Sequence, residues 1–105
     1  MSNIRVLDGP AKPFALSVTS ATVVELKKTG EDPLKDRQVV TIMPIGGKVW
    51  VMFGDGTTTP TAQNVKDWGF PHANNLLRSY EAGKSQPLFV VADSTTVDLR
   101  VAERG

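Results

Sequence analysis

Apolar and polar positions alternate along most of this chain with a period of two. Phe14, Leu16 and Val18 alternate with Ala15, Ser17 and Thr19, and a further β-branched run follows over residues 21–26. Such alternation predicts strands with one face toward a core. The stretch KKTGEDPLKDR interrupts it with Thr-Gly and Asp-Pro steps and mixed charge, which predicts a solvated loop. Residues 37–45 and 48–53 are then two β-branched and aromatic runs separated by Gly46-Gly47, a dipeptide that supports positive φ at both central positions of a tight hairpin. Pro44 cannot donate to a ladder, so an edge or a strand end is expected there. Three more strands are expected over 76–82, 87–92 and 96–103, split by Gly83-Lys84-Ser85-Gln86 and by Asp93-Ser94-Thr95. In the last, Val97, Leu99 and Val101 alternate with Asp98, Arg100 and Ala102, as suits a strand between core and water. No run of ten or more residues has a helical period. Residues 73–80 admit two readings, a short helix or a turn at Asn74-Asn75 leading into a strand.

About seven short strands with Gly, Pro and Asn punctuation predict an all-β fold, a small antiparallel β-sandwich or barrel of jelly-roll or immunoglobulin-like kind. One sandwich domain is expected over 14–105, preceded by an extended N-terminal arm over 1–13. The arm's prolines bar a helix, while Ile4, Val6 and Leu7 give it apolar teeth. It is either a loose terminus or a strand that reaches a neighbour's open sheet edge. Between residues 54 and 75 lies a long loop without strand or helix period, GDGTTTPTAQNVKDWGFPHANN. Loops of this length are usually functional or disordered. The cluster Trp68, Phe70, Pro71 and His72 has large apolar area to bury, so the loop is expected to be where the domain meets a partner.

A chain of 105 residues is most simply one domain, able to bury a core without disulfides. With no cysteine, a disulfide framework, a thiolate metal site and a cysteine nucleophile are excluded, and folding in a reducing compartment is allowed. Lys and Arg number 12 against 11 Asp and Glu, with no run of either sign, which offers no basic surface for nucleic acid. The first residues lack the apolar region of an export signal, and no stretch is long enough to span a bilayer, so a soluble protein is expected.

The chemical motifs reduce to turns. Gly54-Asp55-Gly56-Thr57-Thr58-Thr59 lacks the spaced carboxylates of a calcium loop. Gly46-Gly47-Lys48 precedes a strand where a phosphate loop would open a helix. His72 is the sole histidine, which rules out a histidine metal cage, and no nucleophile-elbow pattern accompanies it, so contact or packing is expected of it rather than catalysis. The carboxylates, Glu103 among them, are scattered at turns and on expected wet faces and read as surface charges. Trp50 alternates with Val49 and Val51. If Val49, Val51 and Phe53 face the core, Trp50 and Met52 lie outside and need a cover, which either the long loop or a neighbouring subunit can supply. No catalytic residue, cofactor or metal is expected.

The order QVVTIMPIGG, KVWVMFGDGTTT, a Pro- and Thr-bearing excursion and RSYEAGKSQPLFVVADSTTVDLRVAERG resembles the small β-sandwich structural proteins of tailed bacteriophages. These include capsid decoration or cement proteins and related virion accessory domains. The shared features are a V-x-V-x-F-G-like strand end, a Thr-rich loop, an Ala-Gly turn, an apolar strand and a closing strand of alternating valines. The likeness covers residues 37–105, about two-thirds of the chain; Ser79-Tyr80-Glu81-Ala82-Gly83 stands where such chains have Ile-Pro-Ala-Gly. The resemblance implies a non-enzymatic virion protein, assembled in the host cytoplasm and stabilising the particle. Its expected partners are the major capsid protein or other virion subunits and further copies of itself, with neither nucleic acid nor membrane. The alternatives are a tail or head-tail connector accessory protein, a carbohydrate-binding sandwich and, last, a small enzyme. The residues expected at a protein interface are Ile4, Val6, Leu7, Trp50, Trp68, Phe70, Pro71 and His72.

Overall fold

The computed structural model describes residues 11–105. It contains eight strands and one short helix: β1 (Ala11–Val18), β2 (Val24–Glu25), β3 (Val39–Ile45), β4 (Val49–Phe53), α1 (Ala62–Trp68), β5 (Phe70–His72), β6 (Arg78–Glu81), β7 (Leu88–Ala92) and β8 (Val97–Arg104). Two antiparallel four-stranded sheets pack face to face, ordered β1-β8-β3-β6 and β2-β7-β4-β5. The partners nest about the middle of the chain, first strand with last, second with seventh, third with sixth and fourth with fifth. This is the strand order of a jelly roll.

Nesting overturns the tight hairpin expected at Gly46-Gly47. β3 belongs to one sheet and β4 to the other, so the glycines form a corner between layers. Only Gly46 has positive φ, at 104°. Gly47 is needed for space, since a Cβ there would stand 2.9 Å from the Thr95 hydroxyl and 3.2 Å from Val97. The Asn74 side chain accepts from both glycine N–H groups and secures the corner. Among the described residues β4 and β5 are the one pair of strands both consecutive and paired. Pro44 sits inside β3 yet behaves as at an edge: β6 pairs with β3 only as far as Ile42, and beyond it the Pro44 carbonyl accepts from Asn75 N–H.

The alternation seen in the chain becomes the inner faces of the sandwich. Leu16, Val18, Val40, Ile42, Val49, Val51, Val97, Leu99 and Val101 are all buried in one core. Each such side chain taken fully from water contributes about 1.5–3 kcal/mol. β7 differs, being buried throughout: Leu88, Val90 and Ala92 join this core while Phe89 and Val91 turn outward beneath α1. β1 claims Ala11, Lys12 and Pro13 from the expected arm, and the strand expected over 21–26 shrinks to two residues.

One end of the sandwich is closed by charge. Glu103 keeps the parity of Val97, Leu99 and Val101, and so points inward, wholly buried, correcting its assignment to the surface. Arg37, expected in a strand, instead reaches into this end and meets Glu103 at 3.0 Å. Its other N–H groups donate to the carbonyls of Leu26, Ala82, Gly83 and Gln86. Leu34 N–H donates to the same Glu103 oxygen. One guanidinium thereby ties the exit of β2, the β6–β7 turn and the end of β8.

Candidate functional site

The segment expected to be one long loop without strand or helix contains both, α1 and β5. After β4, the Asp55 carboxylate accepts from Thr57 N–H, Thr58 N–H and the Thr57 hydroxyl, which turns the chain sharply. The Thr58 and Thr57 amides hold Asp55 below its ordinary 3.8. Helix α1 then starts with a reciprocal cap, the Thr61 hydroxyl accepting from Asn64 N–H and the Asn64 side chain accepting from Thr61 N–H. Val65 is buried against Phe89 and Val91, with Ala62, Trp50 and Met52 around it. The cover required by Trp50 and Met52 is thus supplied within the chain. Trp50 is secured further by its indole N–H to Asp93 at 2.9 Å and by the Lys48 ammonium 5.0 Å over its ring.

Gly69 lets the helix end against the sheet. A Cβ at this position would lie 2.7 Å from the Val51 carbonyl, so the chain can pass into β5 and pair with β4 only because no side chain intervenes. The return leaves aromatic groups outside. Trp68 is 75% exposed and Phe70 53%, and Phe53, expected in the core, is 39% exposed where the two sheets part. Phe53 stands edge-on to Phe70 at 6.4 Å and to Tyr80 at 6.3 Å. A cleft of about 400 Å³ runs between Trp68 and Phe53, floored by Met52 and Pro60 and flanked by Asp55 and Asn64.

Of the residues expected at an interface, Trp68, Phe70 and Pro71 come together on this exposed edge. Trp50 is half-buried under α1, and His72 is wholly enclosed. Its Nδ1 lies 2.8 Å from the Tyr80 hydroxyl and its Nε2 2.6 Å from the Leu76 carbonyl. Burial, with Arg78 nearby, pushes His72 below its ordinary 6.5. Ile4, Val6 and Leu7 lie outside the described residues.

Two contributors were not foreseen. Leu77, placed by its sequence in a strand, is 67% exposed in the turn before β6. Alternation pairs Phe53 with Val49 and Val51, which are buried, but at the last position of β4 the ring is left partly exposed. A second concavity, about 540 Å³, crosses the outer face of the β1-β8-β3 sheet between Pro13, Ala15, Met43 and Leu77. Its one aromatic residue, Phe14, is partly buried against the core, whereas Trp68 and Phe70 are exposed, so the Trp68–Phe70 edge is the stronger candidate. Among the described residues no group of three or more His, Asp or Glu could hold a metal ion, and no helix is long and apolar enough to cross a membrane.

No protein-family model matches this chain, and no curated protein matches it.

Proposed function

We propose that this protein is a non-enzymatic structural component of a tailed-phage virion, a decoration or cement subunit that stabilises the particle by docking its aromatic edge on the major capsid protein or another virion subunit. The observation that carries a binding role is the exposure of Trp68 and Phe70 on ordered backbone. Large apolar rings left in water favour a partner that removes them from it. The virion assignment draws on the resemblance over residues 37–105. The jelly roll accords with it as an analogy of fold alone, because viral shell proteins and lectins both use this architecture. On a symmetric shell, modest contacts repeat, so a few kcal/mol per copy suffice to resist rupture.

The cleft beside Trp68 favours one second reading, a carbohydrate-binding module. Its flanking polar groups weaken that case. One oxygen of Asp55 already serves three donors in the turn, and the Asn64 carbonyl oxygen already caps α1. The discriminating experiment adds purified protein to particles lacking it and follows their rupture temperature. Stoichiometric restoration of resistance, lost in Trp68→Ala, supports the cement reading. Equal robustness with and without the protein overturns it, and saturable binding of an oligosaccharide by the isolated protein supports the second reading.

A further inference from the structure

We propose that His72 is the pin of a proton-sensitive latch, which holds the two sheets together at the aromatic edge when neutral and loosens that edge when it takes a proton. Its biological consequence rests on the reading of this edge as a docking surface, but the latch itself is a property of the isolated chain.

The tautomer follows from the partners. A carbonyl oxygen only accepts, so the bond from His72 to the Leu76 carbonyl at 2.6 Å places the ring proton on Nε2. Nδ1 is then the acceptor, and the Tyr80 hydroxyl 2.8 Å away must donate to it. His72 lies on β5 at the edge of one sheet, opposite Val49 of β4, and Tyr80 lies on β6 at the edge of the other, opposite Val40 of β3. One hydrogen bond therefore joins the edge strands of the two layers. The second, to Leu76, fixes the turn that carries Leu77.

A second proton on the ring cannot be accommodated in this arrangement. Nδ1 would become a donor pointing at the Tyr80 hydroxyl, whose own proton would lose its acceptor inside the protein. The groups around the imidazole are Tyr80 and Arg78 from β6, Val49 from β4 and the Leu76 carbonyl from the turn, and the charge acting on it is the cation Arg78. Burial and that cation both oppose protonation, and the Leu76 carbonyl offsets them only in part. The folded state thus binds the proton less well than the unfolded chain. The stability this residue contributes is fully present above 6.5 and is lost as pH falls from there through the folded value. Acid therefore favours any state in which β5 and the following turn have come away, releasing the backbone that positions Phe70 and Leu77.

The sole histidine makes the test clean, because one imidazole resonance reports the site. In the isolated protein its titration midpoint should fall below 6.5 and rise toward that value in Arg78→Gln, which removes the neighbouring cation. Hydrogen-exchange protection of residues 70–77, corrected for the intrinsic pH dependence, should drop about tenfold for each pH unit below the ordinary 6.5 until the ring titrates, while amides of β7 and β8 keep theirs. His72→Gln should abolish that pH dependence. If this variant does not fold, the Arg78→Gln midpoint and the wild-type protection profile decide. A wild-type midpoint at or above 6.5, or unchanged protection of residues 70–77 through the titration, overturns the latch. Both are read without particles, so failure of the edge to bind virions leaves this result independent.

Discussion

At the closed end of the sandwich, Arg37 and Glu103 are withdrawn from water, whereas at the β5 edge Trp68 and Phe70 are left in it. The usual partition of charged and apolar side chains is inverted in both places, for opposite reasons. Inside, four guanidinium hydrogen bonds to carbonyls and the ion pair hold separate chain segments at one point, a geometric demand that apolar packing alone does not impose. One Glu103 oxygen lacks a hydrogen-bond partner among the described residues, so the arrangement is costly to desolvate and sensitive to disturbance. Outside, the aromatic rings contribute little to the isolated fold and are available for contact. The first region serves the fold, and the second carries the proposed docking role.

The largest expected effect probes the closed end. Arg37→Ala should destabilise the protein by about 3–5 kcal/mol, because it leaves the Glu103 carboxylate buried and unpaired. Thermal unfolding followed by circular dichroism reads this directly, at roughly 4–8 °C per kcal/mol for a domain of this size. The double substitution Arg37→Met with Glu103→Leu should recover only part of the loss, because the carbonyls of Leu26, Ala82, Gly83 and Gln86 still lose their donor. A single-variant cost under about 1 kcal/mol would erase the contrast between the two regions.

Trp68→Ala should behave in the opposite way. Stability should stay within about 0.5 kcal/mol of the parent, while particle binding weakens by about 2 kcal/mol or more, some thirtyfold. Unfolding and pull-down measured on the same preparation separate the two quantities. A stability loss matching the binding loss would make Trp68 a part of the core, and the edge would cease to be distinct.

Gly69→Ala sharpens the comparison by moving the edge without removing a ring. The added methyl meets the Val51 carbonyl, so a cost of about 1–3 kcal/mol is expected, with loss of amide protection concentrated in β5. Thr61→Ala is the mildest, at about 1 kcal/mol, since it removes one partner of the cap on α1. Its effect should appear in the exchange of α1 amides before those of β7. If Thr61→Ala instead melts the entire domain early, the helix is integral to the sandwich rather than a cover laid upon it.

Alternation along β1, β3, β4 and β8 made most of the core readable from the residues themselves, because period-two patterning reflects a strand with one wet face. The same parity extends to Glu103 and contained the signal for its burial, yet a carboxylate is normally kept outside unless a partner is known. That partner, Arg37, is 66 residues away in the chain. The continuous apolar run LFVVA of β7 is compatible with burial on both faces, but only the structure shows that α1 covers the outer one. Thr61 and Asn64 were compatible with a helix start, but seven residues are too few for a helical period to stand out.

The residues alone determined that the chain would form short strands and that their inner faces would make an apolar core without disulfides. These are consequences of local patterning, which needs no knowledge of the partner strand. Tertiary structure decided the rest: that Gly46-Gly47 turns between layers, that β1 pairs with β8 across the length of the chain, that Arg37 finds Glu103, and that His72 becomes a buried link to Tyr80. Each of these joins segments far apart or chooses between partners that local alternation leaves equivalent. A strand's period records which face is buried, but the identity of its neighbour is settled only when both sheets close together around one core.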